Sequence, residues 1–124
     1  TLYWLTCPSI AKAIAKMERK GYVGMLEERL KEDSAMTDQL FCCHNEYARE
    51  RWECLSLDDK NLLMHTDSAS VQRMRVMLES SGIAGTNTAT LTTQNNDGSK
   101  QPAIKCLHAH YADFRSTADG HLGQ

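Results

Sequence analysis

Apolar residues recur at helical spacing in most of the chain up to about residue 85. The first run follows Pro8, a residue suited to the first turn of a helix, and it ends at Gly21. The second run, residues 22–30, carries one apolar stripe beside a charged face. These two runs are predicted to form a helical hairpin at the start of the chain.

The middle of the chain predicts one long helix followed by two shorter ones. Between residues 34 and 54, apolar side chains share one helical stripe: Met36, Leu40, Cys43, Tyr47 and Cys54. We expect this stripe to be buried, and we expect Cys42, Cys43 and Cys54 to act as small apolar side chains. The shorter helices are predicted near residues 56–64 and 71–78, and the second takes Val71, Met74, Met77 and Leu78 as its apolar face.

The final third of the chain combines a polar segment with one more helical pattern. A long irregular loop is predicted near residues 85–102, with a hairpin turning at residues 96–98 as the alternative. Ile104, Leu107, Tyr111 and Phe114 then recur at helical spacing. The fold class predicted from these patterns is mostly α, a single compact domain of five or six helices over residues 1–124.

Composition narrows the possible classes of protein. The chain has 124 residues, 41% of them hydrophobic and 24% charged, with a formal net charge of -2, so nothing favours nucleic acid as a partner. No apolar run is long enough to predict a membrane span. Five cysteines are an odd number for a disulfide framework, so we expect a reducing compartment such as the cytoplasm. Because Thr1 stands where Met would begin a chain, a short leader segment is expected before it.

The amino-terminal region is the part of the chain most suited to a protein partner. Basic residues are in excess over residues 1–31, among them Lys12 and Lys16 in the first predicted helix. Tyr3 and Trp4 precede this helix and could anchor a partner that the basic side chains attract. A solvent-exposed helix face without a partner is the alternative explanation of the same charges.

The motif KCLHAH, residues 105–110, carries the most specific chemical signal. If the segment is helical throughout, Cys106 and His110 lie one turn apart on one face, and His108 points away from them. A thiolate and an imidazole at this spacing are a common pair of metal ligands. We therefore predict Cys106 and His110 as the pair, and His108 as a ligand only if the helix starts late.

A second motif, LTCP at residues 5–8, places Cys7 immediately before a helix, where unpaired amide groups stabilise a thiolate. If the two ends of the chain meet, Cys7, Cys106, His108 and His110 would form a four-ligand metal site. Zinc is the ion expected there, with iron as the less favoured alternative.

Three hypotheses about function follow from these motifs. The first is a binding or assembly module without chemistry of its own, and the second is a metal-binding module. The third is a zinc- or thiol-dependent enzyme that uses Cys7, Cys106 and His110. His44, His65 and His121 are expected to cap, to form hydrogen bonds or to face water, rather than to bind a metal.

The two motifs also carry a resemblance. YWLTCP at residues 3–8 and KCLHAH at residues 105–110 resemble the entry and exit signatures of the domain-of-unknown-function 501 family. The chain differs from that pattern in a longer loop near residues 85–102 and in GHLG where the family has an NPVG-like ending. The resemblance implies a bacterial cytoplasmic setting and assigns no reaction.

Overall fold

The computed structural model describes residues 1–88 and 103–121, with the backbone alone over 118–121. Within these residues there are six α-helices, α1 (Pro8–Arg19), α2 (Tyr22–Glu32), α3 (Ser34–Glu53), α4 (Leu57–His65), α5 (Ala69–Ser80) and α6 (Leu107–His121), and a short 3-10 turn (Ile83–Gly85) follows α5. The prediction of a mostly helical, single compact arrangement is therefore confirmed. Residues 89–102, which include most of the predicted loop and its hairpin alternative, lie outside the described residues.

Local signals set the ends of several helices. Gly21 has φ +80, a left-handed conformation that glycine adopts easily, and it lets α2 follow α1 after a two-residue turn. The Asp33 carboxylate accepts a hydrogen bond from the Met36 backbone N–H at 3.0 Å and caps α3. Ser56 caps α4 in the same way through Asp59.

The helices pack so that the end of the chain returns to its beginning. Helix α1 contacts both α2 and α6, α2 contacts α3, and α3 contacts α5, while the 3-10 turn lies against α3 and α6. Hydrogen bonds join the first residues to α3: the Leu2 backbone N–H donates to the Tyr47 hydroxyl at 2.7 Å, and the Tyr3 hydroxyl donates to Glu50 at 3.3 Å. The segment before α6 is joined to α2, because the Ile104 N–H donates to Glu27 at 2.9 Å.

The predicted apolar stripe of α3 is only partly buried: Tyr47 is buried, Leu40 is half-buried, and the other members are exposed. The residues that α3 buries are Thr37, His44, Tyr47 and Ala48, whereas Met36, Cys42, Cys43 and Cys54 are exposed. Because α3 packs against α2, α5 and the 3-10 turn, the face it buries is decided by these neighbours and includes two polar side chains. Simple periodicity of apolar residues does not identify such a face.

The apolar face predicted for α5 is also incompletely buried, with Val71 and Leu78 half-buried. Met74 and Met77 are more than half exposed, and α5 has no buried residue. Arg51 of α3 holds the carboxyl end of this helix, since its guanidinium donates at 2.6 Å to the carbonyl oxygens of both Leu78 and Ser81. These hydrogen bonds satisfy carbonyl groups at the carboxyl end of α5 and immediately after it.

No helix in the described ranges combines the length and apolar character required to cross a lipid bilayer.

Candidate functional site

The residue at which α6 begins determines which side chains of the KCLHAH motif can share a helical face. The helix begins at Leu107, so Cys106 precedes it, and the Cys106 carbonyl accepts the His110 N–H at 3.3 Å. The late start is the condition under which His108 was expected to become available. The prediction that Cys106 and His110 share one helical face assumed that Cys106 lies within the helix, which begins only at Leu107.

Glu18, Cys106 and His108 form a compact group between the end of α1 and the start of α6. Each contributes one metal-ligating atom, and these atoms all lie within 4.8 Å of one another. The Glu18 carboxylate uses both oxygens here: Oε1 accepts the Leu107 N–H at 2.8 Å, and Oε2 lies 3.2 Å from His108 Nδ1. This group is the only one of its kind among the residues that the structure describes.

Glu18 was not predicted from the sequence, because nothing local distinguishes it from the other charged residues of α1. Only the packing of α6 on α1 brings its carboxylate to the unpaired amides of a helix amino terminus. Burial acts to raise the pKa of Glu18, but the hydrogen bonds from the Leu107 N–H and the His108 side chain outweigh it, and the pKa is lowered. The carboxylate is thus held in its charged form.

The two ring nitrogens of His108 have different partners. Nε2 lies 3.0 Å from the Ala11 carbonyl oxygen, and because a carbonyl can only accept a hydrogen bond, Nε2 must carry a proton. Nδ1 faces the Glu18 carboxylate, which also cannot donate. An imidazole in this position therefore needs a second proton or a cation at Nδ1.

Two of the four predicted metal ligands lie elsewhere in the described structure. Cys7 precedes α1 and is exposed, and its carbonyl accepts the Ala11 N–H at 3.0 Å. His110 points into the interior, where its ring lies 5.4 Å from that of His44. Neither belongs to the group of Glu18, Cys106 and His108, so the predicted set does not come together as one site in the described part of the chain.

A cavity of about 340 Å³ lies beside this group and joins the two sequence motifs. Its walls come from the amino-terminal segment, the 3-10 turn and the first turn of α6: Thr1, Tyr3, Trp4, Leu5, Ala84, Cys106, His108 and Ala109. Trp4 is 80% exposed, and Ala84 has φ +56, a conformation that residues other than glycine rarely adopt. Such strained residues are concentrated at functional sites.

The residues predicted to bind a partner have different environments. Tyr3 is half-buried, and its ring packs edge to face on Tyr47 at 6.5 Å, so it has a role in the fold. Trp4, Lys12 and Lys16 are exposed.

A second set of polar side chains consists of His110 and Asp113 of α6 and of His44 of α3, whose ring lies 5.4 Å from that of His110. We refer to these three residues as the second polar cluster. His44 is fully buried, and its Nδ1 accepts the Ile83 N–H at 3.1 Å. Over the described residues, the buried side-chain atoms without a hydrogen-bond partner are His44 Nε2, His110 Nε2 and Asp113 Oδ1. Buried polar atoms are usually paired, so this cluster is the least satisfied part of the described interior.

The electrostatics of this second cluster follow from its burial. Burial, with the nearby His44 ring, lowers the pKa of His110 to about 4. Burial, with the charges of Glu50 and Glu46, raises the pKa of Asp113 to about 6. Both histidines are therefore neutral near pH 7, and Asp113 carries a charge that the cluster does not compensate. His65, by contrast, is exposed and lies with Nδ1 3.0 Å from the Asn61 carbonyl oxygen, as expected for a structural histidine.

The structure is that of a small helical protein in which residues of both motifs line one cavity. A family model described as "Protein of unknown function (DUF501)" matches residues 1–123, and the chain belongs to this family. A comparison with curated proteins and one with solved structures found no match.

Proposed function

We propose that this protein is a binding module that holds one zinc ion with Glu18, Cys106 and His108. The set differs from the one the sequence predicted, because Glu18 takes the place of Cys7 and His110. A carboxylate, a thiolate and an imidazole are all zinc ligands, and the thiolate favours zinc over harder divalent ions. Ferrous iron is the less favoured alternative.

The observation that carries this proposal is the orientation of His108. Its Nε2–H donates to the Ala11 carbonyl, which leaves the Nδ1 lone pair directed at Glu18. Zinc-bound histidines usually donate their other ring N–H to a backbone carbonyl or carboxylate in this manner. The competing explanation is a proton on Nδ1 and a simple ion pair with Glu18. Cys106 favours the metal, because an ion pair does not need a thiol in the same group.

Three protein ligands leave a fourth position for water or another ligand, as in catalytic zinc sites. The cavity lined by Cys106 and His108 supports an open site over a closed structural one. The zinc-dependent enzyme remains the second candidate function for this reason.

Metal analysis of the purified chain tests the proposal. The protein is prepared without chelators, dialysed against zinc and measured for bound metal, and the same dialysis is made with Cys106→Ser, His108→Gln and Glu18→Gln. We expect one zinc per chain in the unchanged protein and large losses in all three variants. Cys7→Ser is the matched control and should keep its zinc.

The pH dependence of zinc binding tests whether His108 Nδ1 binds a metal ion or forms only an ion pair with Glu18. A proton and a metal compete for His108 Nδ1, so zinc affinity should fall as the pH is lowered. Cobalt substitution gives an independent measurement, because a cobalt–thiolate bond produces an absorption band that Cys106→Ser would remove. A chain that binds no zinc, or that binds it equally well without the Cys106 thiol, would contradict the proposal.

Trp4, Lys12 and Lys16 support a second proposal, a contact with an acidic protein partner. Trp4 leaves most of a large aromatic surface in water, and both lysines are exposed on α1. Such an interaction should weaken with salt and in Trp4→Ala, and it should persist in Cys106→Ser.

A further inference from the structure

We propose that the cavity beside Cys106 and His108 binds a small, largely apolar molecule whose anionic head group completes the coordination of the zinc. This inference rests on the proposed zinc site and adds the chemical class of its ligand. The head group would be a thiolate, a carboxylate or a hydroxamate, and the remainder of the molecule would lie against the aromatic and aliphatic walls.

The size of the cavity favours a small molecule. Its volume of about 340 Å³ is at the low end of the roughly 300–1,000 Å³ that ligand pockets occupy. Its walls come from three separate segments of the chain: residues 1–5, Ala84 and the first turn of α6. A peptide would extend beyond such a space, whereas a single ring with a short head group fits inside it.

The chemistry of the walls determines the kind of ligand. Trp4, Leu5 and Ala109 provide apolar surface, which favours an apolar body. The lining has no lysine or arginine that could bind an anion. Cys106 and His108 belong both to this lining and to the proposed zinc site, so a metal ion held there would face an anionic head group in the cavity.

Trp4 also provides an aromatic surface against which the apolar body of the ligand can pack. Its side chain is 80% exposed although it lies at the cavity wall, so a bound ring can cover indole surface that is now in water. Nearby, Ala84 keeps its left-handed conformation within a braced turn, in which the Gly82 N–H donates to the Thr86 carbonyl at 2.7 Å. The Ala84 side of the wall is therefore formed before a ligand arrives, which lowers the ordering cost of binding there.

The test uses two probes that share a ring and differ in the head group. Benzohydroxamic acid can bind zinc through its head group, and benzamide is the matched compound without a chelating group. Binding is measured by calorimetry on the zinc-loaded full chain, and by Trp4 fluorescence in the Trp52→Phe variant. We expect the zinc-loaded protein to bind the hydroxamate at least about tenfold more tightly than benzamide, a preference that metal removal abolishes.

Two variants show where the probe binds. Ala109→Leu should fill part of the cavity and weaken hydroxamate binding at least about fivefold, and Trp4→Ala should weaken it by removing the indole wall. Both should keep one zinc per chain, which shows that they fold and that the metal site is intact. Leu62→Ala changes an exposed residue outside the cavity lining and serves as the unaffected control.

The outcomes separate this inference from the proposed function. A chain without zinc overturns both proposals, and the metal analysis shows this before any probe is added. A zinc-loaded chain that binds neither probe overturns the ligand inference alone. Equal binding of hydroxamate and benzamide, or hydroxamate binding that Ala109→Leu and Trp4→Ala leave unchanged, also overturns it.

Discussion

The two polar clusters of α6 differ in how their charges are satisfied. At the start of the helix, Glu18 has a hydrogen-bond partner for each oxygen, and its pKa is lowered. Farther along the helix, Asp113 is buried with Oδ1 unpartnered, and its pKa is raised to about 6. The surroundings of α6 therefore stabilise the charged form of Glu18 and destabilise the charged form of Asp113. The difference arises from partners, because both carboxylates are partly or fully removed from water.

The two carboxylates, Glu18 and Asp113, should respond to pH with opposite signs. The contribution of Glu18 to stability is complete above its ordinary pKa of 4.5 and is lost as the pH falls below that value. The contribution of Asp113 is complete below its ordinary pKa of 3.8 and is lost as the pH rises toward 6. His110 acts against Asp113, because its stabilising effect is complete above pH 6.5 and is lost as the pH falls toward 4.

The largest expected loss of stability comes from removing the His44 side chain of the second polar cluster. His44→Ala should lower the free energy of unfolding by about 3–5 kcal/mol, since it opens a cavity and leaves the Ile83 N–H unpaired. Urea unfolding followed by circular dichroism measures the change. His65→Ala, at an exposed histidine, should cost less than about 0.5 kcal/mol.

A substitution at Gly82 tests the packing around His44 more specifically. A Cβ at Gly82 would lie 2.6 Å from both Cβ and Nδ1 of His44, so Gly82→Ala should destabilise the chain by about 2 kcal/mol or more. With His44→Gly as the second substitution both contacts disappear, whereas His44→Ala would keep the Cβ at residue 44. The double variant should therefore be more stable than the sum of the two single effects by at least about 1 kcal/mol. Strict additivity would show that the two residues do not pack as described.

Neutralising the unpartnered carboxylate should stabilise the protein. Asp113→Asn is expected to raise the free energy of unfolding at pH 8 by up to about 3 kcal/mol, because the pKa of Asp113 shifts from 3.8 to about 6 on folding. The gain should vanish below pH 4, where the native side chain is protonated. Unfolding curves between pH 4 and 8 provide the measurement. The variant should also lose stability more steeply than the parent between pH 6.5 and 4, where His110 acts alone.

The corresponding change at the first cluster should have the opposite sign. Glu18→Gln is expected to lower stability at pH 7 by about 1 kcal/mol, because charge-assisted hydrogen bonds to Leu107 and His108 become neutral ones. Measurement in zinc-free buffer isolates this effect from metal binding. Glu32→Gln, at an exposed position of α2, is the matched control. Stabilisation by both Glu18→Gln and Asp113→Asn would remove the contrast between the two clusters.

The smallest expected effect is at Cys7. Cys7→Ser should change stability by less than about 0.5 kcal/mol, because the residue is exposed and serine is a good residue to precede a helix. Thermal unfolding measures this directly. A loss above 1 kcal/mol would indicate a role for the Cys7 thiol that the described contacts do not show.

The candidate site combines residues that the sequence singled out with one that it did not. Cys106 and His108 of the motif at residues 105–110 lie in the group, and Glu18 was not predicted. The prediction that Cys106 and His110 share one helical face assumed that the helix includes Cys106, whereas it begins at Leu107. Where a helix starts depends on what caps it, and here the cap is Glu18, which lies 89 residues away along the chain.

The sequence by itself determined the helical class and the approximate position of most helices, because apolar periodicity, Gly21, Asp33 and Ser56 act within a few residues. It did not determine which face of α3 is buried, that Glu18 meets Cys106 and His108, or that His44 meets His110. Those outcomes depend on the packing of α6 against α1 and of the 3-10 turn against α3. The physical reason is range: helix propensity and capping act locally, whereas burial and the partners of charged groups are set by segments distant in the sequence.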